Sequence, residues 1–361
     1  MSISRLSLGL GGLGLFALLC CSQLAAAQRR NADREAAIAT QNLAPRAQSE
    51  EEAAAVNALQ AEADPRAQLA TADNFLKTYP ASQLVGLIHR IRMQAHLKLG
   101  NPRDAIAAGE AGLAFDLQYL ESVMKRAEAS AATSARRDRN APPPIDKNAP
   151  AFHAFVAEGE QLRLYYYQQL MRAAQGADDF SKAVDYGEKA LAVNPDDLFT
   201  LITLAQTIAE RPSTNDKENG QAMERAEDLA LRASRHLKDL MAGPSGPSMP
   251  ADQRNELLGA VYATLGRIYL NQRRYGDSEK AFLAAIEARK DDPVLYLRLG
   301  LAYAQQNKRS DALDALAKSV YLKGVTEAQA RQYLEAVYQQ ERKSLDGLDL
   351  YIQAAGARIG R

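Results

Sequence analysis

The chain has 361 residues, 47% apolar and 24% charged, enough to bury a sizeable core. Its 44 basic residues balance 44 acidic ones, so no net field draws it toward nucleic acid or an anionic membrane surface. Both cysteines, Cys20 and Cys21, stand near the N-terminus, so no disulfide and no cysteine metal site is expected further along.

Arg5, the apolar run from Leu6 to Leu19 and Ala25-Ala26-Ala27 follow the order of a secretory signal over residues 1–27, with cleavage expected near Ala27. The run is about 14 residues long, short of the roughly 20 that a membrane-spanning helix needs, and no transmembrane segment is expected. The expected location is therefore periplasmic or secreted. An apolar run ending in cysteine also resembles a lipoprotein signal, although Leu19 or Cys20 stands where such signals carry a small residue. Gly9, Gly11 and Gly14 spell a phosphate-cradling pattern, but no predicted strand precedes them and the signal over 1–27 accounts for them.

Residues 28–50, rich in Gln, Arg, Asn and Ala, read as a flexible leader, and N-terminal helices are predicted over 51–126. There Gly100-Asn101-Pro102 marks a turn, and Ala105, Gly109 and Gly112 form a small-residue face whose glycines weaken their helix. An exposed loop is predicted over 127–150, carrying Pro142-Pro143-Pro144 and the cluster Arg136-Arg137-Asp138-Arg139. That cluster reads as a solvated loop or as a grip for an acidic partner. Central helices follow over 151–242. Tyr165-Tyr166-Tyr167 must turn at least one ring to the core, Phe180, Ala183 and Ala190 share a second helix, and Asn194-Pro195-Asp196-Asp197 breaks it. A Gly/Pro linker is expected over 243–250.

Over 251–324 the chain repeats itself at a shift of 34 residues. Tyr262 falls on Tyr296, Leu265 on Leu299, Gly266 on Gly300, Tyr269 on Tyr303, Ser278 on Ala312 and Phe282 on Leu316. Gly266 and Gly300 let one helix approach its partner closely, and aromatic residues fill the remaining space. Beyond Gly324, Thr326 is predicted to cap a helix to about Glu341, and a shorter helix over about 345–358 completes a C-terminal cap over 325–361.

This pattern of Leu-Gly, Tyr, then small, aromatic and small residues resembles the tetratricopeptide (TPR) repeat, of the secreted bacterial type. The resemblance implies an all-α fold, an α-solenoid of antiparallel helix pairs wound as a right-handed superhelix. It also implies a non-enzymatic role, in which the first helix of each pair lines a concave groove for a protein or extended peptide segment. The family register turns Arg90, Gln94, Lys98, Gln168, Arg172, Arg267, Asn271, Leu297, Leu301 and Gln305 toward that groove. Its N-terminal end is polar and basic, which favours a segment carrying carboxylates. The implied function is a scaffold or adaptor of the bacterial cell envelope. A scaffold for polysaccharide or peptidoglycan is the alternative, and exposed tyrosines along the groove would mark it. The last two helices favour a monomer, whereas a poorly sealed terminal face would allow pairing.

Catalytic chemistry has little to work with. His89 and His96 lie two helical turns apart with no thiol or carboxylate at ligand spacing, and neither they nor His153 and His236 suggest a metal or other cofactor. The paired acids Asp178-Asp179, Asp196-Asp197 and Asp291-Asp292 fall at expected helix starts, where capping accounts for them.

Overall fold

A computed structural model describes residues 43–132, 145–211, 215–243 and 249–359. The predicted signal, both cysteines, Gly9, Gly11 and Gly14, the Arg136 cluster, the triple proline and most of the Gly/Pro linker lie outside those residues. All fourteen regular elements among the described residues are α-helices, and their packing divides the chain into two compact units at Val193 and Asn194.

The first unit contains α1 (Glu50–Ala61), α2 (Pro65–Thr78), α3 (Val85–Leu99), α4 (Pro102–Ala132), α5 (Pro150–Gly176) and α6 (Phe180–Val193). Each helix packs on the next from α1 through α6, with α3/α4 and α5/α6 as antiparallel pairs. Starts are set locally. Ser49 accepts from the Glu52 N–H, while Asp64 accepts from the N–H groups of Arg66 and Ala67 behind Pro65. The apolar faces of α1 to α3 meet in Val56, Leu59, Ala72, Phe75 and Ile88.

Two expectations change in this unit. The segment 43–49 is fastened rather than part of a flexible leader: Leu43 is buried among Val123, Ala127, Phe152 and Phe155, and Tyr119 Oη donates to its carbonyl at 3.1 Å. Glu52, buried at the start of α1, accepts from Ser82 Oγ and, at 2.6 Å, from the Gln48 N–H. The loop expected from residue 127 begins later, because Val123 and Ala127 lie one turn apart on α4 and bury together against α5, which carries the helix on to Ala132. Gly109 and Gly112 are close-approach points. A Cβ at Gly109 would stand 2.7 Å from Met93 Sδ, and one at Gly112 would stand 2.6 Å from Tyr166 Oη.

The second unit contains α7 (Leu198–Glu210), α8 (Asp216–Ala242), α9 (Ala251–Asn271), α10 (Tyr275–Ala288), α11 (Pro293–Gln305), α12 (Arg309–Leu322), α13 (Glu327–Arg342) and α14 (Leu348–Gly356). The pairs α7/α8, α9/α10 and α11/α12 stack in order, and α9 also touches α7 and α11, so the first helices lie side by side. A Cβ at Gly266 would meet the Phe282 ring at 2.7 Å, and one at Gly300 would meet Leu316 Cγ at 2.7 Å. The turns of α3/α4, α5/α6, α9/α10 and α11/α12 repeat one backbone device, a single left-handed residue: Gly100 at φ 72° and Asp178 at 61° in the first unit, Arg273 at 59° and Asn307 at 58° in the second.

Both α13 and α14 close over α12. Thr326 precedes α13, but its backbone (φ −98°, ψ 0°) is not extended. Its hydroxyl therefore reaches no helix N–H and stays buried without a partner, contrary to the predicted cap.

Candidate functional site

In the first unit, Arg90, Gln94 and Lys98 recur every fourth residue and form one stripe along α3. The neighbouring stripe on α5 comprises Tyr165, Gln168 and Arg172. Gln94 Nε2 donates to Tyr165 Oη at 2.6 Å and joins the two stripes. Gln94, Lys98 and Arg172 are exposed, while Arg90 and Gln168 are half-buried. Lys98 and Arg172 form no ion pair among the described residues.

Beneath this face lies a buried polar anchor. Tyr166 Oη donates toward Asp116 Oδ2 at 2.9 Å and lies 3.2 Å from the carbonyl of Gly86. Burial pushes the Asp116 carboxyl above the usual carboxylate range, against the opposing pull of the Tyr166 hydrogen bond and the Arg90 charge. Burial also pushes the Tyr166 hydroxyl up, with Asp116 adding to the effect. The anchor fixes the spacing of α3, α4 and α5, and with it the spacing of the stripes above.

In the second unit the expected groove residues separate into different roles. Arg267 pairs with Glu210 at 3.1 Å, and Asn271 Nδ2 donates to the carbonyl of Ala209 at 2.8 Å, so both hold the C-terminal end of α7 instead of standing free. Leu297 is buried with Leu313, Leu316, Ala330 and Leu334, and Leu301 packs against the same cluster. Their place in a groove is therefore withdrawn: α13 lies where a further first helix would stand, and these leucines form its seam. Gln305 remains exposed.

The sequence register passed over Arg298, which is half-buried between Leu297 and Leu299. Its signal was present in Leu297-Arg298-Leu299, a single charge in an apolar run. Burial pushes its guanidinium down to about 10, the Arg267 charge adds repulsion, and Glu210 and Asp292 pull the other way.

The remaining candidates have structural duties. Asp179, Asp197 and Asp292 accept from the N–H groups of Lys182, Thr200 and Val294 at the starts of their helices. His89 is partly buried beside Arg92, and burial and that charge lower its pKa. Among the described residues no group of three or more His, Cys, Asp or Glu side chains is placed to hold a metal ion, and no helix is long and apolar enough to cross a membrane.

The paired helices, the repeated left-handed turn and the glycine contacts decide the architecture. The fold is a tetratricopeptide-like α-solenoid. No family model matches the chain. The peroxisomal targeting signal receptor of Candida albicans is 29% identical over 114 residues, which is 32% of this chain and 17% of the receptor, so the match spans well under two thirds of that relative. Among solved structures, the thermophilic TPR protein TTC0263 of Thermus thermophilus is 14% identical, with 68% of this chain and 98% of that one covered and a TM-score of 0.39. The APC/C hetero-tetramer Cut9-Hcn1 is also 14% identical, covering 81% and 59% of the two chains at a TM-score of 0.29. Yeast Tom70 is 12% identical, covering 89% and 95% at a TM-score of 0.16.

Proposed function

We propose that the chain is a non-enzymatic scaffold or adaptor of the bacterial cell envelope that binds an extended segment of a partner protein along its first helices. The observation that carries this reading is the joined face of Arg90, Gln94, Lys98, Tyr165, Gln168 and Arg172 in the first unit. It presents rigidly mounted polar groups and cations without internal ion pairs at Lys98 or Arg172, the surface an extended segment with carboxylates would meet. Exposed tyrosines would favour a polysaccharide. Tyr166 is buried and Tyr165 is tied to Gln94, which supports the peptide reading instead.

The test is affinity capture from envelope extracts with the secreted form and with a variant carrying Arg90→Glu, Lys98→Glu and Arg172→Glu. A protein retained by the first and lost from the second is the expected result. Equal recovery by both would move the function away from this face. The envelope assignment rests on the N-terminal signal, and mass spectrometry of protein from the producing cells checks it: a mature start near Gln28 is expected, and an intact leader on cytoplasmic protein contradicts it.

A further inference from the structure

A cleft in the second unit opens between α10 and α12, the second helices of consecutive pairs, and encloses about 290 Å³. Tyr296, Leu299 and Tyr303 recur at three- and four-residue steps along α11 and form its floor. That stripe runs for two helical turns, about 10 Å. The volume stands at the lower end of the range for small-molecule sites.

Six ionic side chains line the cleft, three acids and three bases: Glu287, Asp311 and Asp314 against Lys290, Lys318 and Arg358. Asp314 is the fixed member. Lys318 Nζ pairs with it at 2.8 Å, Arg358 reaches it from beyond the end of α14, and the Lys318 ammonium also stands 5.9 Å from the centre of the Tyr296 ring. Burial alone would raise the Asp314 carboxyl, but hydrogen bonds from Lys318 and Arg358 hold it below its ordinary value, so it remains an ionised acceptor. Glu287, Lys290 and Asp311 are exposed and form no ion pair among the described residues. The α10 wall also carries Leu283, an apolar side chain left 44% exposed.

This lining selects its ligand. A strongly charged ligand would meet as many like charges as opposite ones. A purely apolar one would strip water from the ionic groups and return no hydrogen bond. A neutral polyol satisfies both limits, because each hydroxyl donates once and accepts twice, so neighbouring hydroxyls answer a carboxylate and a cation together. We propose that the cleft between α10 and α12 is a saccharide site, which takes a neutral sugar unit by its hydroxyls on Asp311, Asp314 and Lys290 and by its C–H face on Leu283 and Tyr303. The site is separate from the peptide-binding face of the first unit and does not depend on that reading.

The experiment titrates the full chain by isothermal calorimetry with three neutral tetrasaccharides (cellotetraose, maltotetraose and chitotetraose), with the methyl glycosides of their sugars, and with a neutral Ser/Gly tetrapeptide. At least one saccharide is expected to bind with a Kd of about 1 mM or tighter. Asp311→Ala and Leu283→Gln, both at exposed positions, should each weaken it by about fivefold or more, whereas Lys238→Ala, on α8 and outside the cleft, should leave it unchanged. Matching melting curves for the variants keep lost binding distinct from lost fold. Binding by a tetrasaccharide but not by the methyl glycosides assigns the cleft to a glycan chain, and equal binding by both assigns it to a free sugar. No saccharide bound by the wild type overturns the proposal, as does binding that Asp311→Ala and Leu283→Gln leave unchanged. The tetrapeptide bound in place of the saccharides, and lost in the same two variants, also overturns it and makes the cleft a peptide site.

Discussion

Replacing Gly266 by alanine sets two known effects against each other. Alanine in a helix interior gains about 1 kcal/mol over glycine. A Cβ at this position would lie 2.7 Å from two atoms of the Phe282 ring and 2.9 Å from a third, and that ring is fully buried, so it has nowhere to retreat. Overpacking of this kind costs about 1–3 kcal/mol, so a net loss of up to about 2 kcal/mol is expected. Gly220 supplies the control. It also lies in a helix, but a Cβ there would meet nothing within 4 Å, so Gly220→Ala should gain about 0.5–1 kcal/mol. Urea titrations followed by far-UV circular dichroism read both, with the transition compared variant by variant because stacked repeats need not unfold as one unit. Pairing Gly266→Ala with Phe282→Leu should recover part of the loss, as expected for residues in contact. A Gly266→Ala protein as stable as Gly220→Ala would refute the close approach on which the repeat register stands.

Leu334→Ala should cost about 2–5 kcal/mol in the second unit, because its fully buried side chain holds α13 over Leu297 and Leu316; a loss below about 1 kcal/mol in the same titration would show that seam to be loose. Leu43→Ala should cost about 2 kcal/mol and speed proteolytic cutting near residues 43–49, and an unchanged cleavage rate would show that this segment is not fastened. Burial raises the Asp116 pKa above its ordinary value of 3.8, so the folded state binds more protons than the unfolded state within that window. The wild type should therefore gain stability relative to Asp116→Asn as pH falls from neutral toward that value, and an NMR titration placing this carboxyl at or below 3.8 would contradict the sign.

Much of the architecture could be read from the sequence because its signals are local. The 34-residue shift, the glycines at 266 and 300 and the acids at 197 and 292 each act through spacing along one helix or one turn. The glycines at 109 and 112 were harder to read. Their helix-weakening effect is local, whereas the reason for them is the arrival of Leu170 and Tyr166 from another helix. In the first unit, simple helical periodicity places Arg90, Gln94 and Lys98 on one stripe of α3. In the second, the register could not say that α13 covers Leu297 and Leu301 or that Asn271 reaches across to Ala209. Likewise, no periodicity marks Leu43 as buried, because its neighbours come from α4 and α5.

The most direct measurement is site-specific photo-cross-linking in the cells that make the protein, with a photoreactive residue placed in turn at Gln94, at Arg172 and, as the control, at Lys189 on α6. The account predicts an adduct to one partner protein from positions 94 and 172 and none from 189. Adducts from 189 alone, or none from 94 and 172 while the protein stays folded, would contradict the claim that the first helices carry the binding function.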